Sequence, residues 1–397
     1  MTERTLKLGV AGLGRAFVLM RPALAAHPKV QLVAAADPRD EARARFGAEF
    51  GGRTYPSVEA LCADPDIEAV YVATPHEFHA ENAITAARHG KHILVEKPMA
   101  LTLEECHAMT EAARNSGVHL LVGHSHSFDA PIARTRELIA AGTFGALRMI
   151  TAVQFTDFLY RPRRPEELVT ASGGGVVLNQ APHHVDIARL IGGGMVKSVR
   201  ALTGAWDRER PVEGAYSALL TFADGAFATL TYSGYAHFDS DEFAGWIAES
   251  GFPKDSDSYG AARTLLESAK APADELALKT ARNYGGAQSL KPTESDNASR
   301  FHQHFGLVIA SCDRADLRPG PKGVAIYADH ARSFEPVPVP PIARSEVIDE
   351  LHAAIFEGRK PVHSGEWSLA TMEVCLAMQQ SAREGREILL KHQVPVS

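Results

Sequence analysis

Between residues 6 and 123, short apolar runs alternate with amphipathic stretches of helical length, and this alternation constrains the 397-residue chain more than any other feature. The runs are Leu6 to Ala11, Val30 to Ala36, Ala69 to Ala73, His92 to Val95 and Val118 to Val122. Strands separated by helices pair in parallel through right-handed crossovers, which predicts a doubly wound α/β sheet. Thr102 followed by Glu105 has the spacing of a capping box ahead of a helix that runs to about Ser116. A first domain over residues 1–124 follows.

From residue 125 to 397 the character changes. A helix around Ile132 to Ala141 precedes long alternating runs at Leu147 to Phe158, Ser198 to Trp206, Ala215 to Phe222 and Ala226 to Tyr232. Such runs suit a large, mainly antiparallel open sheet in an α+β domain. Residues 239–300 are polar, with one helical pattern near Tyr259 to Lys270, and read as an insertion. Phe305 to Ser311 and Gly323 to Tyr327 are two more strand-like runs, and Pro336 to Pro341 reads as an extended linker. Helices near Ser345 to Glu357 and Glu366 to Glu384 finish the chain. Leu219 with Phe222, and Leu230 with Tyr232, suggest an apolar sheet face covered by another copy in a homodimer or homotetramer.

Composition narrows the class of function. A formal net charge of -7 with no basic stripe excludes a nucleic-acid binder. Cys62, Cys106, Cys312 and Cys375 are widely spaced and read as reduced thiols. Neither a signal-peptide pattern nor a membrane-length apolar run is found, so the expected setting is the cytoplasm, with no membrane partner.

The first strand runs into Gly12-Leu13-Gly14-Arg15, so two glycines fall at a strand-to-helix turn and a helix N-terminus faces whatever anion binds there. Phe17 stands where a third glycine completes the dinucleotide fingerprint. Asp37, at the end of the second strand, is placed to accept hydrogen bonds from an adenosine ribose. Together these predict a Rossmann domain that binds NAD, since Asp37 repels the 2'-phosphate of NADP. Arg39 could offset that repulsion, but it is read here as a solvated helix residue. Thr74-Pro75-His76 and His79 follow the next strand at the same carboxyl edge, where a helix cap with surface histidines is the plainer alternative. Glu96-Lys97-Pro98 ends the strand after it. A lysine there faces the nicotinamide, whose positive charge lowers its pKa and makes Lys97 a candidate proton shuttle.

The glycine turn, Thr74-Pro75 with His79, and Glu96-Lys97-Pro98 together resemble the Gfo/Idh/MocA oxidoreductases. The resemblance continues at Gly173-Gly174-Gly175, Asn179, His183 and Asp186, with Asn179 where the family usually has Asp. It implies a pocket in which Asn179 and His183 face the catalytic lysine. On one helix, positions 179 and 183 share a face; the plainer alternative for His183 is a core histidine satisfied by Asp186. Residues 232–239, 302–306 and 311–319 resemble the branch that oxidises phthalate dihydrodiols. That resemblance implies an NAD-dependent dehydrogenase acting on cis-4,5-dihydro-4,5-dihydroxyphthalate, a dicarboxylated small molecule. His183 is then expected to take the hydroxyl proton, with Lys97 orienting and sharing it and Asn179 holding His183 or the second hydroxyl. Arg161, Arg163 and Arg164, with His302, His304 and Arg318, are the candidates for its carboxylates, because guanidinium pairs bidentately with carboxylate. An inositol, sugar or sugar-acid dehydrogenase is the alternative within the class, and a non-catalytic NAD-binding regulator the alternative outside it. His183-His184 and His302-Gln303-His304 lack the geometry of a metal site, so no metal is expected.

Overall fold

The alternation in the first third of the chain becomes a six-stranded sheet. Its strands are β1 Leu6–Ala11, β2 Val30–Ala36, β3 Arg53–Tyr55, β4 Ala69–Val72, β5 His92–Val95 and β6 Leu120–Val122, in the order β3-β2-β1-β4-β5-β6. Every neighbouring pair is parallel. The computed structural model describes residues 4–269, 271–289 and 300–396; Lys270 and residues 290–299 of the expected insertion lie outside the described residues. All four residues of β4 are buried, as a strand with helices on both faces requires. β3 was not anticipated, because three mostly exposed residues at a sheet edge carry no period. Thr102 caps the helix Leu103–Asn115 with both reciprocal hydrogen bonds of the capping box, each 3.1 Å. The chain leaves β1 toward β2 on one side and returns through β4 on the other, so a crevice opens at the carboxyl ends of β1 and β4.

The second sheet has nine strands. They are β7 Leu147–Phe155, β8 Val196–Gly204, β9 Ala215–Phe222, β10 Phe227–Ser233, β11 Leu307–Cys312, β12 Ala315–Gly320, β13 Gly323–Ala328, β14 Arg332–Pro336 and β15 Ile388–Leu389. Their order is β14-β13-β12-β11-β7-β10-β9-β8-β15, and all pairs except β7 with β10 are antiparallel. β14 occupies the run-up to the proline tract. It is an edge strand, where Pro336 removes no needed donor.

The inner face of this sheet packs on the helices Ala181–Ile191 and Gly365–Glu384. Between them Arg189, fully buried, donates to Trp367 O and Thr371 Oγ1 at 2.7 Å and stacks 3.8 Å above the Trp367 ring. The outer face exposes Leu202, Leu219, Phe227 and Leu389. Phe222, Leu230 and Tyr232, expected to share that face with Leu219, are buried on the inner one. The correction is one of parity, since strand residues an odd number apart point to opposite faces.

Two further expectations about organisation change. The helix Ser345–Phe356, assigned by sequence to the second domain, buries Val347, Ile348 and Leu351 in a cluster with Val10, Leu94 and Leu121 of the parallel sheet. Among its described residues the insertion holds two α-helices rather than one, Ala261–Glu267 and Pro272–Ala281, the second begun by a proline whose missing N–H costs nothing there. Past the second helix, Tyr284 reaches the parallel-sheet layer. It is 1% exposed, its ring lies 5.1 Å from that of Phe17, and its hydroxyl donates to Glu49 at 2.7 Å. The insertion therefore straps one layer to the other. Among the described residues no helix is long and apolar enough to cross a membrane.

Candidate active site

At the carboxyl edge of the parallel sheet, Gly12 adopts φ +93°, and a β-carbon there would lie 2.8 Å from Ala73 O. Only glycine fits. Gly14 faces open space, the nearest atom to a β-carbon there being Ala73 O at 4.0 Å. It begins the helix Arg15–Ala26, whose first turn has neither a side-chain cap nor an acid. Bare amides and a positive helix end facing open space fit a pyrophosphate. Leu13 N–H donates to Asp37 Oδ2 at 2.8 Å, which locks the turn to the end of β2. Arg39 is not the solvated residue expected. Its guanidinium lies on the Asp37 carboxylate, with Nε 2.9 Å from Oδ1 and Nη2 3.0 Å from Oδ2, and Nη2 donates to Leu13 O at 2.7 Å. Short-range pairing two residues apart outweighs exposure.

A cavity of about 600 Å³ opens beside this turn, lined by Arg15, Thr74, His76, His79, Glu96 and Lys97 on one side and Arg161, Arg163, Asn179 and His183 on the other. His79 is fully buried and braces the edge, with Nδ1 2.9 Å from Pro98 O and Nε2 3.0 Å from Thr74 O. Pro75 lies at the surface, outside the lining. Glu96 accepts from Tyr71 Oη at 2.5 Å, and its burial raises its pKa. Lys97 Nζ donates to the backbone carbonyl of Asn179 at 2.9 Å. Burial pulls the Lys97 amine below its ordinary 10.5, although Glu96 and Glu249 oppose the shift. Burial, reinforced by the charge of Lys97, also holds His183 well below 6.5, and its Nδ1 is buried without a hydrogen-bond partner among the described residues.

Asn179 and His183 do not share a helix face. One helix ends at Asn179, Gln180 interrupts, and Pro182 sits in the first turn of the next, where its missing N–H is tolerated. The Asn179 side chain turns back to donate to Gly173 O and Gly175 O, both at 2.8 Å. Its backbone, not its side chain, meets Lys97. Asp186 does not satisfy His183 either; it accepts from Ser127 Oγ, from Trp367 Nε1 at 2.5 Å and from Thr371 Oγ1 at 3.1 Å.

The expected carboxylate binders divide. Arg161 reaches the cavity but pairs with Asp157 at 2.8 Å. Arg163 reaches it without a carboxylate partner among the described residues, lying 3.7 Å over the Phe158 ring and donating to Phe158 O. Arg164 lies outside the lining, held by Glu77 at 3.5 Å and Glu167 at 3.8 Å. His302 and His304 spend Nε2 on the carbonyls of Val337 (2.9 Å) and Ile247 (2.7 Å), and Arg318 donates to Phe243 O at 2.5 Å. All three are outside the cavity, because backbone carbonyls of neighbouring loops claim them.

Several lining residues had no place in the sequence reading. His124 and His126 follow β6, at the carboxyl edge where ligands gather, so their position in a parallel strand order could have found them. His126 lies 2.7 Å from Asp129 and 3.4 Å from Glu249; burial opposes its charge, but these two carboxylates raise its pKa to about 9. Its ring centroid is 4.9 Å from that of His183. Glu249 comes from the insertion, Arg282 follows the insertion's second helix, and Arg344 precedes the helix Ser345–Phe356. No local pattern marks these three.

Comparison with known proteins agrees with this geometry. Residues 6–124 match the model of an oxidoreductase family with an NAD-binding Rossmann fold, and residues 132–246 match the GFO/IDH/MocA C-terminal domain. A 1-carboxy-3-chloro-3,4-dihydroxycyclohexa-1,5-diene dehydrogenase of Comamonas testosteroni is 44% identical over 379 residues, 95% of each chain. The scyllo-inositol 2-dehydrogenase (NAD(+)) of Bacillus subtilis (strain 168) is 34% identical over half of this chain and 57% of its own. A crystal structure of a protein assigned as a dehydrogenase from Bordetella bronchiseptica RB50 superposes with a TM-score of 0.91 at 41% identity, covering 97% of this chain and 100% of that one. The fold is also that of the WlbA dehydrogenase of Bordetella pertussis, solved with NADH and UDP-GlcNAcA (TM-score 0.72, 22% identity, 98% and 99% coverage). The chain belongs to the Gfo/Idh/MocA family and is an NAD-binding oxidoreductase.

Proposed function

We propose that this cavity oxidises a cis-dihydrodiol carrying a ring carboxylate to the corresponding catechol, with cis-4,5-dihydro-4,5-dihydroxyphthalate the substrate in aromatic-acid breakdown. The observation that carries the reading is the meeting of Lys97 and His183 in one guanidinium-rich cavity beside the glycine turn. The 44% identical diene dehydrogenase supports the substrate class. NAD, when bound, accepts the hydride that leaves the carbinol carbon. The hydroxyl proton goes to the protein, and the resulting hydroxyketone tautomerises to the catechol.

Lys97 is the group we assign to that proton. His183 was the expected base, but burial beside Lys97 disfavours its charged form strongly, whereas Glu96 and Glu249 support the charged form of the Lys97 amine against its burial. The partnerless Nδ1 of His183 is shut off, which leaves Nε2 to meet the hydroxyl and orient it. Asn179 positions Lys97 through its backbone carbonyl, with its side chain anchoring the glycine loop. Glu96 and His79 hold the strand end that carries the lysine.

The exposed Leu202, Leu219, Phe227 and Leu389 support a homodimer or homotetramer in which a second copy covers the outer sheet face; light scattering reads the number. Four cysteines without disulfides support a reducing, cytoplasmic setting. The functional test offers the enzyme NAD with the phthalate dihydrodiol, a monocarboxylated dihydrodiol, myo-inositol and glucose. Turnover confined to the carboxylated diols is the expected result. Turnover of inositol or glucose instead sinks the dihydrodiol reading, and NAD binding with no turnover at all favours the regulator.

A further inference from the structure

Four guanidinium groups line the cavity with no carboxylate within salt-bridge distance among the described residues: Arg15, Arg163, Arg282 and Arg344. By contrast Arg161, Lys254 and Lys279 are each paired with an acid. An unpaired cation aimed into a cleft is costly unless an anion arrives there. Arg15 follows Gly14 at the helix N-terminus and stands with the pyrophosphate cradle. Arg344 lines the same cavity, and its charge reaches Lys97, His124 and His183 as well as Arg15. Its helix packs Val347 against Gly123 at the end of β6, on the side of the sheet that carries Lys97 and His124.

The backbone at Arg344 is the second observation. The residue has φ +62° and ψ +19°, the left-handed region that a non-glycine residue enters only at an energetic cost. Such a conformation persists only where neighbours impose it. Here Arg300 donates to Pro340 O, His302 Nε2 lies 2.9 Å from Val337 O, and Arg344 Nε donates to Gln303 Oε1 at 3.2 Å. The irregular segment 300–303, which leads into β11, thus staples the proline segment and aims Arg344. One nitrogen is spent on Gln303, and the two terminal nitrogens of the fork have no hydrogen-bond partner among the described residues, which leaves them for a ligand.

We propose that Arg344 binds the ring carboxylate of the substrate. The inference deepens the dihydrodiol reading and rests on it for the identity of the ligand. A carboxylate held at Arg344 by a bidentate pair turns the ring to a fixed angle, so that one carbinol of the diol is presented to Lys97 and His183. The expected His302 and Arg318 contribute no such contact, and His302 acts instead by holding the segment that carries Arg344. The competing anion is the pyrophosphate of NAD, and the experiment separates the two.

Binding is measured on the enzyme–NADH complex by nicotinamide fluorescence, with 3,4-dihydroxybenzoate and catechol as probes, in wild type, Arg344→Gln and Arg344→Gly. The glycine variant keeps the left-handed backbone without strain and guards against a folding defect. Wild type is expected to bind the carboxylated probe at least about tenfold more tightly than catechol, a preference that both variants lose, while catechol and NADH affinities stay within about threefold. Three results overturn the proposal: no carboxylate preference in wild type, a preference retained in both variants, or a loss of NADH affinity, which returns Arg344 to the pyrophosphate. Turnover is assayed separately. A wild type that fails to oxidise any carboxylated dihydrodiol, yet shows a carboxylate preference that depends on Arg344, contradicts the function and the identity of the ligand while upholding Arg344 as the carboxylate-binding residue.

Discussion

The cofactor edge and the substrate wall of the cavity are assembled in opposite ways. The cofactor edge is drawn from the ends of consecutive parallel strands, and its parts are backbone amides, two glycines and an acid spaced by one crossover. The substrate wall collects Arg161 and Arg163 from a loop after β7, Asn179 and His183 from a broken helix, Glu249 from the insertion and Arg344 from a linker. Backbone geometry at a strand end is a local property, so a few residues specify it. A wall gathered from distant segments depends on the packing of all of them.

The difference predicts separable failures. Lys97→Ala is expected to lower kcat by about a thousandfold with NAD affinity within about threefold, because it removes the proton acceptor and leaves the cradle intact. In wild type, kcat/KM rises with pH as the Lys97 amine loses its proton, and since burial lowers its pKa the rising limb lies below 10.5; the limb disappears in Lys97→Ala. Loss of NAD binding in that variant breaks the division. Asp37→Ala is expected to weaken NAD by about ten- to a hundredfold, as loss of a charged hydrogen bond does, with a smaller penalty against NADP. Isothermal titration with both dinucleotides checks it.

The strap is where the two regions meet, and it sharpens the comparison. Tyr284 O lies 3.5 Å from Arg39 Nη1, so the insertion presses on the side chain that covers Asp37. Tyr284→Ala is expected to raise the NAD dissociation constant about tenfold and to leave kcat at saturating NAD nearly unchanged. Equal affinity in the variant confines the strap to the substrate side. The smallest effect is on stability. The folded pKa of His126, about 9, exceeds its ordinary 6.5, so the stabilisation from its pairing with Asp129 and Glu249 is complete below 6.5 and is lost as pH rises through 9. Melting temperature should fall over that window, and His126→Gln should flatten the fall.

How much of this the sequence carried follows the same line. β1, β2 and β5 stand where the apolar runs end, and the Thr102 cap forms as its spacing demands, because apolar runs and caps are read within a few residues. The places of Gly12, Asp37 and Lys97 at the carboxyl edge of the parallel sheet were legible for that reason. The turned-back side chain of Asn179 was not, since it depends on Gln180 breaking a helix that residue spacing alone makes continuous. His302, His304 and Arg318 looked like carboxylate binders because charge is visible in sequence and the loop carbonyl that claims it is not. Arg344 could not be singled out at all, as its left-handed backbone is imposed by residues about forty positions away.

The measurement that tests the central claim most directly follows the hydrogen itself. A carboxylated cis-dihydrodiol deuterated at both carbinol carbons is incubated with NAD and enzyme, and the NADH formed is analysed by mass. The account predicts one deuterium on each NADH and a matching catechol carboxylate as the other product. NADH without deuterium, or catechol formed without NADH, contradicts hydride transfer from the diol at this site.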